Sequence, residues 1–180
     1  GDFRANMLAG EYWMGLYYLN RGDLPLACLE HMQHFFRDAA TASGHPAPKL
    51  MMTDPYGIFG IFKAQPMQPE HAEWLAACRK LAEKGDMDAV TALYTVTDLP
   101  EAELRRYLAP LEKKAASGDQ DALSQLAFIK VDWLKENPAN VIETLKQYRK
   151  NAKPVLLARI GELALALDGK DGRGWRDTAI

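Results

Sequence analysis

Cysteine is scarce in this 180-residue chain: Cys28 and Cys78 are its only two, and they stand far apart in it. A disulfide framework is thereby excluded, as is a CxxC motif. Two readings remain for the pair, as unpaired buried small hydrophobic residues or as one bridge between adjacent helices in an oxidising compartment. An excess of one charge is missing too. Lys and Arg number 22 against 24 Asp and Glu, a net charge of −2, so no nucleic-acid partner is expected and no basic surface for an anionic membrane. No apolar run approaches the roughly 18 residues of a membrane span, so no transmembrane segment is expected. Alternating β-branched runs are lacking, and strands are not needed. Gly-x-Ser-x-Gly, a Walker loop and His-Glu-x-x-His are all absent, so the expectation is a non-enzyme without a cofactor. The chain starts at Gly1 rather than at methionine, the form expected either of an artificially trimmed chain or of a mature chain whose leader was removed.

What is present is helical punctuation. Hydrophobic residues make up 48% and charged residues 26% of the chain, the balance of a folded domain. Leu104, Leu108, Leu111 and Ala115 recur at spacings of three and four, one stripe of a helix with 3.6 residues per turn. Similar stripes cover residues 24–41, 72–84 and 155–167. Pro25, Pro69, Pro100 and Pro138 each open a helix-like segment, where a missing N–H costs nothing. Asp23, Asp98 and Asn137 precede three of them as N-caps, with Glu101 at capping-box spacing behind Asp98. Gly44, Gly85, Gly118 and Asn151 follow these helices in turn, the last three evenly spaced. Glycine and asparagine tolerate the left-handed conformation that closes a helix.

Residues 78–96 aligned on 111–129 without a gap share 7 of 19 positions: Lys80, Ala82, Gly85, Asp86, Asp88, Ala89 and Leu93 with their partners. Helix pairs recurring at a period of roughly 33 to 43 residues imply an α-solenoid, in which stacked units bury faces that no unit buries alone. The expected fold is therefore an all-α solenoid of antiparallel helix pairs over 1–180, with repeats at 1–43, 44–84, 85–117 and 118–150, then a terminal helix 151–168 and a polar tail.

The run from Ala115 through Ala122 to Leu126 resembles the junction of Sel-one-like repeats, relatives of tetratricopeptide repeats, with their Ala-Ala-x-x-Gly-x-x-x-Ala-x-x-x-Leu pattern. Met14, Gly15, Leu16, Tyr17 and Tyr18, followed by Gly22 and Ala27, are similar to the family's Leu-Gly-x-x-Tyr helix and turn. In that pattern Gly15 and Ala27 would let paired helices approach closely. Between residues 46 and 84 the chain departs from the family: Pro46, Pro48, Pro55 and Pro66 leave room for one short helix near 56–63. The resemblance implies a binding scaffold for a protein partner. Small bacterial members include periplasmic or lipid-anchored adaptors, and some are similar to immunity proteins that neutralise a toxic effector. It thus points toward the bacterial periplasm or envelope rather than the cytoplasm.

Tyr12, Tyr18, Tyr94 and Trp133 are the candidate partner anchors, on an inner surface lined by the first helix of each pair, with Tyr94 and Trp133 reading equally as core residues. Residues 50–67, rich in Met, Phe and Gly, read either as a buried short helix or as a partner patch. The competing reading is a metal-binding or hydrolytic protein using Cys28, His31 and His34. These are ligand types for zinc or copper, but their helical directions spread over roughly 120°. His45 and His71 stand isolated, and residues 168–174 lack the alternation of a calcium loop, reading instead as a helix that ends at Leu167.

Overall fold

The computed structural model describes residues 2–19, 25–53 and 69–171. Among them the chain is all helical: α1 (Phe3–Leu19), α2 (Pro25–Ser43), α3 (Pro46–Thr53), α4 (Pro69–Ala82), α5 (Met87–Val96), α6 (Glu101–Ala116), α7 (Gln120–Asp132), α8 (Pro138–Lys146), a 3-10 turn (Arg149–Asn151) and α9 (Pro154–Asp171). None of the described helices is long and apolar enough to cross a membrane. Two compact units, Gly1–Tyr107 and Leu108–Ile180, divide the chain within α6.

The repeated Gly-Asp words make the same turn twice. Gly85 (φ 81°) and Gly118 (φ 87°) both take the left-handed conformation. Gly85 N–H donates to the Ala82 carbonyl at 2.9 Å and Asp86 N–H to Leu81 at 3.1 Å. At the second junction Gly118 donates to Ala115 at 2.9 Å and Asp119 to Lys114 at 3.2 Å. Each aspartate then caps the next helix, Asp86 Oδ1 accepting from Ala89 N–H at 2.9 Å and Asp119 Oδ1 from Ala122 N–H at 3.0 Å. Ala82, Ala89 and Leu93 are buried, as are Ala115, Ala122 and Leu126. Gly44 (φ 67°) closes α2 in the left-handed region as well.

Elsewhere the punctuation differs from expectation. Pro46 and Pro48 do not exclude a helix; they fall in the first turn of α3, where the N–H groups they lack have no acceptor within the helix. The short helix expected near 56–63 and the cap at Asp23 lie outside the described residues. Asp98 is displaced as a cap: α6 begins at Glu101, and the Pro100 carbonyl accepts from Glu103 and Leu104. Asn151 does not turn left-handed but ends the 3-10 turn. Lys135 (φ 56°) does so instead after α7, where Glu136 N–H donates to the Lys130 carbonyl at 2.8 Å. The last helix does not stop at Leu167 but runs on to Asp171.

In the first unit α1 packs on α2, α2 on α3, and α3 on both α4 and α5. Met7, Phe36, Leu50, Met51, Cys78, Val90 and Leu93 are fully buried there, and burial of each large side chain is worth about 1.5–3 kcal/mol. Both cysteines are buried and unpaired, and burial first, then Asp86, pushes the Cys78 thiol up to about 12. The close approach of α1 to α2 is made at Gly10, where an added Cβ would stand 2.5 Å from the Phe36 ring. Ala27, expected to serve that approach, is exposed, and the surroundings of Gly15 lie outside what is described.

The second unit packs α7 and α8 on α9, and α7 on α8. Gln120 clasps the connection into α9: its Nε2 donates to the Asn151 carbonyl at 2.9 Å, and its Oε1 accepts from Lys153 N–H. Leu111, Leu126, Ile142, Leu156 and Ile160 supply the core.

Two measurements check this packing. Gly10→Ala is expected to lower stability by about 1–3 kcal/mol in denaturant unfolding, because the methyl group overpacks a buried ring. The Asp119 carboxyl is held below its usual 3.8 mainly by the Ala122 N–H, then by the Asp121 N–H, Lys153 and Lys114. Its contribution is therefore full above the usual value and lost as pH falls through the lowered one. The melting-temperature gap between the native chain and Asp119→Ala is expected to narrow only in that acid range.

Candidate functional site

Helix α1 carries more apolar residues than one face can bury. Its inner stripe, Met7 and Gly10, meets α2, while Leu8 and Tyr12, one turn apart, stay 52% and 64% exposed. Trp13 joins Tyr12 to α2: the Tyr12 ring meets its edge at 6.0 Å and 75°, and the His31 imidazole stacks on it at 4.4 Å and 24°. An aromatic step of Tyr12, Trp13 and His31 thus crosses from α1 to α2. Aromatic rings with one polar end supply large contact area at little conformational cost, the composition of binding hot spots.

The other expected anchors are dispersed. The side chain of Tyr18 is not described. Tyr94 is half-buried on α5 in the first unit. Trp133 belongs to the second unit, half-buried, edge-on to Phe128 at 6.2 Å, and Arg159 lies 5.1 Å from the Phe128 ring. Of residues 50–67, Leu50 and Met51 are buried, and residues 54–67 lie outside the description.

The Cys28, His31 and His34 group is separated by its helix. Cys28 points into the core at 2% exposure, while His31 stacks on Trp13 and His34 faces Asp38 at 3.8 Å. Among the described residues no three metal-type side chains converge.

A charged cluster that the sequence reading missed lies on the first unit. Arg4 of α1 pairs with Asp88 in the first turn of α5. His45, which looked isolated, bonds Asp86 through Nε2 at 3.1 Å, and its ring meets Phe3 at 5.2 Å. Glu11, half-buried on α1, is raised to about 7, mainly by burial and next by Asp88, with Arg4 opposing. Partners from helices so distant in the chain leave no local spacing signal.

In the second unit α7 and α8 flank a cavity of about 110 Å³ floored by Leu123, Leu126, Ala127, Val141 and Leu145, with Lys130 and Glu136 3.8 Å apart at its edge.

No family model, curated protein or solved structure matches the chain. The Sel-one-like resemblance therefore rests on the residues that carry it.

The stacking geometry has a direct consequence for stability. Tyr12→Ala is expected to change the unfolding free energy by less than about 0.5 kcal/mol. Trp13→Ala, which removes both ring contacts, is expected to cost about 1–2 kcal/mol in the same denaturant titration.

Proposed function

We propose that this chain is a non-enzymatic protein-binding scaffold, an α-solenoid of stacked antiparallel helix pairs of Sel-one-like type, which takes a protein partner on the aromatic step of α1 and α2. The observation that carries the reading is the exposure of Tyr12 and Leu8 beside the stacked Trp13 and His31. A buried core elsewhere in the unit leaves no packing reason for that exposure, and water contact with a large apolar ring is a cost that a partner would remove. The solenoid reading is supported by the two junctions at Gly85 and Gly118, where the glycine and aspartate N–H groups donate to carbonyls at the same offsets. Uniform units stacked on one another need the same turn each time. The narrower reading, a bacterial immunity protein that neutralises a toxic effector, rests on the family resemblance and calls for one tight cognate partner with a complementary charged patch.

The test is capture of a partner on the immobilised native chain, followed by calorimetric titration of that partner with point variants. Tyr12→Ala is expected to weaken binding at least tenfold, about 1.4 kcal/mol, with the melting temperature unchanged. An unchanged affinity for both Tyr12→Ala and Trp13→Ala would remove the aromatic step from the interface. Stoichiometric zinc or copper in the purified protein, lost in a His31→Ala/His34→Ala variant, would instead favour the metal-binding reading.

A further inference from the structure

Helix α3 begins with a shortage of amides. Its first three residues are Pro46, Ala47 and Pro48, so the N–H of Ala47 is the only one in that stretch, and Ala47 is fully buried. A buried N–H without an acceptor is costly, and a helix supplies none of its own in the first turn. Here the acceptor is a side chain: the Ala47 N–H donates to His45 Nδ1 at 3.2 Å. His45 thus holds the position that serine, threonine, aspartate or asparagine takes at the start of most helices.

The other ring nitrogen is engaged by a different helix. His45 Nε2 lies 3.1 Å from Asp86 Oδ2, while Oδ1 of the same carboxyl group accepts from the Ala89 N–H at 2.9 Å and so caps α5. The Phe3 ring of α1 lies against the imidazole, centroids 5.2 Å apart, and the His45 backbone N–H donates to Ser43 Oγ at 3.1 Å. Only 15% of the His45 side chain is exposed.

These contacts fix the place of the ring proton. A nitrogen that accepts from a backbone amide is bare, so the proton of the neutral imidazole is on Nε2 and is donated to Asp86. A proton on Nδ1 would set one N–H against another. The common caps could not do both jobs. Aspartate would close α3 but bring a second carboxyl group toward Asp86, and asparagine ends one atom nearer the backbone than Nε2 does.

We propose that His45 is a cap shared by two helices: a neutral imidazole, protonated on Nε2, closes the start of α3 and ties it to the cap of α5, so that the first turns of α3 and α5 open together. The role is that of a positioning residue, and it does not depend on the partner-binding reading.

Nitrogen-15 NMR of the histidine rings in the full chain, at alkaline pH, reads the proton directly. His45 Nε2 is expected to carry it and Nδ1 to be bare; a proton on Nδ1 would overturn the assignment. Amide hydrogen exchange reads the linkage. His45→Ala is expected to speed exchange at Ala47 about five- to tenfold, the size of a lost cap. Asp86→Ala, on another helix, is expected to speed it at least about twofold in the native background and to add nothing in the His45→Ala background. His45→Asn is expected to recover part of the Ala47 protection and to leave it indifferent to Asp86→Ala. An Ala47 amide that ignores Asp86→Ala in the native background, or an Asp86→Ala effect of equal size with and without His45, would show that the two caps act separately and sink the proposal.

Discussion

A helix cannot end inside a packed protein without disposing of its last carbonyls, nor begin without satisfying its first amides. In this chain the two problems are solved together by adjacent residues. The left-handed glycine at 85 and at 118 folds the backbone over the end of one helix, and the aspartate that follows accepts from the first turn of the next. An alanine on each side of both turns, and the leucine one turn further on, are buried.

The same economy explains why the charged cluster sits where it does. Asp86 is already fixed by its cap bond to Ala89, so it offers His45 a stationary acceptor. Asp88, two positions later, lies in the positive field of the first turn of α5, where a carboxylate is favoured. The N-terminus of α5 thereby gathers α1 and the entry to α3 around it. Glu11 of α1 feels this group electrostatically, Asp88 raising its carboxyl and Arg4 opposing.

The aromatic step arises from a conflict within α1. Its sequence places Tyr, Trp and Met around the whole circumference, while packing in the first unit has room for only one stripe. Met7 wins that place and Tyr12 loses it. Trp13 is intermediate, resting on His31 and thereby taking the imidazole away from any shared direction with Cys28. What looked in sequence like a set of ligands is, in space, one buried thiol and two outward rings.

The helices, most of their starts and the glycine turns were legible from residue order alone, because caps and turns are satisfied between near neighbours in the chain and tertiary context has little to add. Errors came where that locality failed. Two prolines in the first turn of α3 looked like helix breakers until their position in the helix was known, and Lys135 took a left-handed turn that nothing in its chemistry announces. Residue order alone determined that the chain is helical and that residues 85 and 118 are the same kind of corner. Which of the aromatic side chains would face water, and which acidic side chains would find partners on other helices, was decided by tertiary packing. Those outcomes depend on contacts between residues tens of positions apart, where burial and charge proximity have no trace in local spacing.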